Sequence, residues 1–190
     1  PPPPPPPPSN DRAEEPLPTP KPPPGPPIVP FVAVGVVGSV ALAPGPTLGA
    51  DAGVGLRRHA FSLQLEGRVD TMLESESLSA RDRVTTSVYS GALVPCGQFA
   101  VVTVCLGARL GSLHGTGLDV SRPALKASLF GAGFARIGVR LPLGRLFALR
   151  AAFEGGMPFV RTTFVIDGQP LWTAPAVFAS TLIGVEWQSP

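Results

Sequence analysis

The chain is 190 residues long, holds 26 prolines and 22 glycines, and carries a net charge of +2 with only 15% charged residues. Soluble domains average roughly a quarter charged, so this chain needs somewhere other than water for its apolar surface. Yet Gly and Pro break every apolar run before the ~18 residues that a membrane helix requires, which excludes helical spanning, and scattered basic residues near charge balance give nucleic-acid binding little support.

Eight prolines open the chain, followed by Ser9-Asn10-Asp11-Arg12-Ala13-Glu14-Glu15 and a second proline cluster through Pro27. Proline fixes φ and removes a backbone donor, so residues 1–27 are expected to form a disordered, polyproline II-like linker reaching about 80 Å if straight. The segment reads as a spacer; a ligand for a Pro-rich-binding domain would need a repeated motif that is absent. Beginning at Pro1 without a charged-then-apolar leader, the chain reads as a fragment or a mature form.

From residue 28 onward the dominant signal is alternation with period two. Its clearest instance is 61–70, where Phe61, Leu63, Leu65 and Val69 share one parity and Ser62, Gln64, Glu66, Arg68 and Asp70 the other. The first strand, 29–40, sets Val32, Val34 and Val36 against Ala33, Gly35 and Val37. Ala43-Pro44-Gly45-Pro46-Thr47 stops it, since prolines cannot feed a ladder. The second, 48–56, opposes Leu48, Ala50, Ala52, Val54 and Leu56 to Gly49, Asp51, Gly53, Gly55 and Arg57, and 57–60 reverse tightly into the third strand. A hydrophilic loop, 71–83, leads to a fourth strand near 84–94, whose faces do not sort.

Pro95-Cys96-Gly97-Gln98 reads as a short turn into a fifth strand, 102–113, with Thr103, Cys105, Gly107, Arg109 and Gly111 on its polar side. A second long loop, 114–124, precedes the sixth strand, 125–141, where Lys126, Ser128, Phe130, Ala132, Phe134, Arg136 and Arg140 share a parity. After the turn 142–145, the seventh strand, 147–159, places Arg150 and Glu154 opposite Phe147, Leu149, Phe153 and Met157. A loop built on a strand extension, 160–175, leads to the eighth strand, 177–187, with Glu186 on the face opposite Ile183, Val185 and Trp187.

Eight strands joined as hairpins, with short and long connections alternating, imply an up-and-down meander. Alternation alone does not say whether the greasy face points in, as in a soluble lipocalin-like or streptavidin-like barrel, or out, as in a membrane barrel. The polar face favours the latter: it is rich in small residues and its ionisable groups nearly balance. The basic set is Arg68, Arg109, Lys126, Arg136, Arg140 and Arg150; the acidic set is Asp51, Glu66, Asp70, Glu154 and Glu186. An eight-stranded lumen is just wide enough to be filled by such side chains. The expected fold is therefore all-β: an eight-stranded antiparallel up-and-down transmembrane β-barrel over residues 28–188.

This pattern resembles the small eight-stranded bacterial outer-membrane barrels, the OmpA- and OmpX-like class, down to a closing strand that ends Ile183-Gly184-Val185-Glu186-Trp187. The resemblance implies outer-membrane lipid and the barrel assembly machinery as partners, although Gln188-Ser189-Pro190 after the terminal aromatic departs from the class. Tyr89, Trp172, Trp187 and scattered Phe residues would form a thin interfacial belt.

Cys96 and Cys105 lack further ligands for a zinc site, with His59 and His114 distant in sequence, so no metal is expected. A disulfide in an oxidising envelope fits the pair better than two free thiols, and would place them almost opposite each other across their turn. Arg136 and Arg140 face Arg150 and Glu154 across a tight hairpin, suited to cross-strand ion pairs. Ser112, His114 and Asp119 admit a hydrolase reading, but a solvated loop histidine is the simpler one, and no phosphate-binding loop, nucleophile elbow or haem motif occurs. No cofactor and no catalytic activity are expected. The expected role is structural or anchoring, with a salt-bridge-filled lumen and a periplasmic Pro-rich tether to an upstream domain or periplasmic partner. The alternatives are a narrow porin-like channel and a soluble lipocalin-like carrier.

Overall fold

A computed structural model describes residues 1–4, 27–73, 76–79, 82–118, 126–160, 163–166 and 169–189, all without α-helix. The proposed linker, residues 5–26 above all, thus lies largely outside the described residues.

Eleven strands form in chain order: β1 (Val29–Val40), β2 (Thr47–Arg58), β3 (Phe61–Met72), β4 (Glu76–Ser79), β5 (Asp82–Phe99), β6 (Val102–Leu118), β7 (Lys126–Leu143), β8 (Phe147–Pro158), β9 (Thr163–Ile166), β10 (Gln169–Thr173) and β11 (Phe178–Gln188). Eight of them close a barrel. Each of β1, β2, β3, β5, β6, β7, β8 and β11 pairs antiparallel with its neighbours, β3 joining β5 and β11 returning to β1. Closure leaves no strand edge, so the ladder satisfies the backbone without water, the condition for crossing a bilayer. β4 pairs antiparallel with the start of β5, while β9 and β10 form a separate ribbon.

Parity governs the exterior. Val32, Val34 and Val36 of β1, Leu63 and Leu65 of β3, Leu106 and Leu110 of β6, Phe153 of β8 and Ile183 of β11 are all exposed, Leu65 to 61%. The opposite parity is buried: Glu66 is 1% exposed and Asp70 0%. With the greasy face outward and the ionised face inward, the premise of a soluble carrier with an apolar cavity fails. The aromatic belt is also less diffuse than its sequence spacing suggests. Phe61, Phe99, Phe147 and Trp187 are exposed at the ends of β3, β5, β8 and β11 on one rim, with Trp187 directly opposite Phe147.

That rim carries the three short turns. His59 and Ala100 open two of them in the left-handed region (φ 57° and 55°), and Gly144 (φ 85°) makes the third. Neighbouring connections are tied along the rim by backbone bonds, the Gln98 amide donating to the Ala60 carbonyl (2.7 Å) and the Gln188 amide to that of Leu146 (2.8 Å).

Several sequence boundaries shift. Residues 95–98 are not a turn: β5 runs through them to Phe99, and the reversal falls at Ala100-Val101. Proline brings no N–H to the ladder, and β5–β6 pairing is interrupted between Leu93↔Ala108 and Cys96↔Cys105. The loop expected over 71–83 contains β4 and the start of β5, and His114 lies within β6 rather than in a loop.

Candidate functional site: the charged lumen

The lumen is built from alternate residues of all eight barrel strands. At its centre, Glu66 on β3 and Glu154 on β8 share two arginines. Arg109 of β6 donates to Glu66 (3.0 Å) and Glu154 (2.8 Å), and Arg136 of β7 to Glu66 (2.8 Å) and Glu154 (2.7 Å). Arg68 adds a third guanidinium, reaching Glu154 at 3.4 Å while gripping Asp70 at 2.7 Å. The Arg68 guanidinium also donates to the hydroxyls of Ser39 and, at 3.2 Å, Ser180. Ser39 in turn donates to Asp70 (3.3 Å). Three arginines and three carboxylates are thus interlocked, and all six side chains are at most 3% exposed.

Such burial is tolerable because the charges are matched together, although Arg109 Nε is a buried donor without a partner among the described residues; a pair stripped of one partner leaves an uncompensated charge in a poor dielectric. The Phe134 ring supports the centre, with the Arg109 guanidinium 4.7 Å and that of Arg136 5.3 Å from its centroid. A Cβ on Gly107 would strike that ring, so the residue opposite Phe134 on β6 has to be glycine.

A second cluster closes the short-turn end. Glu186 accepts from Arg57 (2.8 Å) and Arg140 (2.9 Å). Gln188 accepts from Arg140 (2.8 Å) and donates to the Arg145 carbonyl (2.8 Å). Arg57 is the residue the sequence reading left out of the network: it shares the parity of Asp51, but was read as the start of the turn, whereas β2 continues through Arg58. Ser39, Ser180 and Gln188 were missed too, short polar side chains whose role depends on which arginine lies across the barrel.

Arg140 and Arg150 stand directly opposite each other on β7 and β8 and do not pair. Of the four residues expected to meet across that hairpin, only Arg136 and Glu154 are joined. Among the described residues Arg150 and Asp51 have no carboxylate or cation within ion-pair distance, and Asp51 leans over Gly35, where a Cβ would lie 2.6 Å from its Oδ1. The side chain of Lys126 lies outside the described residues.

Toward the long-loop end the lumen is lined on one wall by Ser39, Asp70 and Ser180. The β5–β7 wall is apolar, with Val88, Ala92, Val94, Leu113, Phe130 and Phe134 packed with Leu42 and Phe178. Cys96 and Cys105 are bonded in a disulfide (S–S 2.04 Å) and sit opposite each other in the β5–β6 ladder, inside the barrel.

On the exterior, Ser112 Oγ lies 2.8 Å from His114 Nε2, and the edge of the Tyr89 ring meets the His114 ring with centroids 5.4 Å apart. Asp119, the remaining member of the hydrolase reading, lies outside the described residues, and among those described no three His, Cys, Asp or Glu side chains are grouped to hold a metal.

A closed eight-stranded antiparallel meander, apolar without and ionised within, has the architecture of the small eight-stranded outer-membrane barrels. Among solved structures it is similar to Neisserial surface protein A (NspA), at 10% identity over 84% of this chain and 96% of that one, with a TM-score of 0.51. It is similar also to Ail, the attachment invasion locus protein of Yersinia pestis, at 12% identity over 85% of this chain and 98% of that one (TM-score 0.53). Ail in complex with the heparin analogue sucrose octasulfate matches with 11% identity, 85% and 99% coverage and a TM-score of 0.55. At such identity the likeness is one of fold. No protein-family model matches the chain, and no curated protein matches it.

Proposed function

We propose that the chain is a non-enzymatic outer-membrane β-barrel that serves as a structural or anchoring element, its lumen plugged by ion pairs. The observation that carries this reading is the interlocked set of Glu66, Arg68, Asp70, Arg109, Arg136 and Glu154, which spans the lumen between opposite walls. A porin needs a water-filled path lined by fixed charges; here the charges are spent on one another. Outer-membrane lipid contacts the apolar exterior, with Phe61, Phe99, Phe147 and Trp187 at the headgroup level of the leaflet on the short-turn side. By analogy with other such barrels the short turns face the periplasm, as would a Pro-rich tether and an upstream domain or periplasmic partner joined through it, and the barrel assembly machinery inserts the chain.

Reconstitution in planar bilayers tests the reading. Insertion without discrete conductance steps, together with heat-modifiable gel migration and recovery in the membrane fraction, is the expected result. Stepwise ohmic conductance would replace it with the narrow porin, and recovery as a water-soluble monomer would remove the membrane altogether.

A further inference from the structure

Below the central network, at the short-turn end, a cavity of about 30 Å³ remains inside the barrel, lined by Arg57, Arg136, Arg140, Arg150, Gln64 and Glu186 among others. Four guanidiniums against one carboxylate already make it electropositive. Arg136 is committed to Glu66 and Glu154, and Arg57 and Arg140 to Glu186, so these three are satisfied as cations. Arg150 is not: among the described residues its guanidinium has neither a hydrogen bond nor a carboxylate within 4.0 Å, and it stands across the ladder from another arginine. Two more donors there lack acceptors, the Gln64 side-chain amide and Arg57 Nε.

An unpaired cation and orphaned N–H groups in a low dielectric are costly, and a water can accept from them but does not neutralise the charge. What resolves the surplus is an acceptor carrying negative charge. Asp51, whose Oδ1 also lacks a partner, is the nearest internal alternative, but it leans over Gly35 and makes no bond to Arg150. The room is consistent with this: the cavity, about 30 Å³, accommodates a monatomic anion.

We propose that this cavity is a binding site for a halide-sized anion, chloride under physiological conditions, held by Arg150 with the Gln64 amide as a second donor. The ion completes the charge balance at the short-turn end, and the central ion-pair network above it makes the site a closed end, not part of a conducting path.

The full chain, refolded in detergent micelles, is unfolded by heat in sodium chloride, sodium gluconate and sodium phosphate at matched ionic strength. With chloride at about one hundred times its dissociation constant, the midpoint is expected to lie roughly 5–10 °C above that in gluconate or phosphate. Arg150→Gln should lose that increment and Arg58→Gln, at an exposed position ending β2, should retain it. Equal midpoints in all three salts, an increment given by phosphate alone, or an increment that survives Arg150→Gln would each overturn the site. If Arg150→Gln does not fold, judged by heat-modifiable migration, the broadening of the ³⁵Cl resonance by the native protein decides: bromide-competable broadening supports the site, and none above that of empty micelles refutes it. These outcomes do not depend on bilayer conductance, so the site and the plugged-lumen reading can fail separately.

Discussion

Glu154 accepts from Arg68, Arg109 and Arg136 at once, and so holds three walls of the barrel together. Glu154→Gln keeps the shape but removes the charge, leaving three buried guanidiniums to share what Glu66 and Asp70 supply. We expect it to destabilise the barrel by about 3–5 kcal/mol, the usual effect of breaking a buried pair from one side, read as a lower urea midpoint in lipid vesicles. How much of this could be read from the sequence depended on distance. That Glu66, Arg109, Arg136 and Glu154 share the inward parity is a property of each strand taken alone. Which carboxylate meets which arginine depends on the stagger of strands up to 129 positions apart, as between Arg57 and Glu186, and no local pattern encodes that. Arg57 was overlooked for a simpler reason: charged residues before a reversal read as solvent-facing, although the ladder continued through them.

Among the strands, β1, β2, β3 and β6 were legible because small or polar residues alternate with Val and Leu. β5 was not: its inward residues Val88, Ala92 and Val94 are as apolar as its outward Leu93, since the lumen on that side is filled by Phe130, Phe134 and Phe178. A strand greasy on both faces loses its period even when its geometry is regular. The misplaced turn at 95–98 has a related origin, because proline and glycine there announce a reversal that the ladder postpones to Ala100. The disulfide pins β5 to β6 just where the pairing is interrupted. Replacing both cysteines by serine should lower stability by no more than ~3 kcal/mol, since the loop it closes is short, and leave the fold intact, as checked by heat-modifiable migration with and without reductant.

For the molecule as a whole, the outward belt is the property most exposed to test. Leu65, 61% exposed near the middle of β3, should face the centre of the lipid. Leu65→Arg is expected to cost about 2–4 kcal/mol of folding free energy in bilayers and much less in detergent, where the charge can find water; comparing urea midpoints in the two media checks it. Equal effects in both would argue against a lipid-facing surface. Closure by an even number of strands has a further consequence. β1 enters and β11 leaves at the same rim, with Phe31 opposite Gln188, while the β9–β10 ribbon projects from the other. In a sealed vesicle, epitopes fused ahead of Val29 or behind Gln188 would therefore be cut by an added protease together or spared together, and one inserted into the ribbon would always suffer the opposite fate.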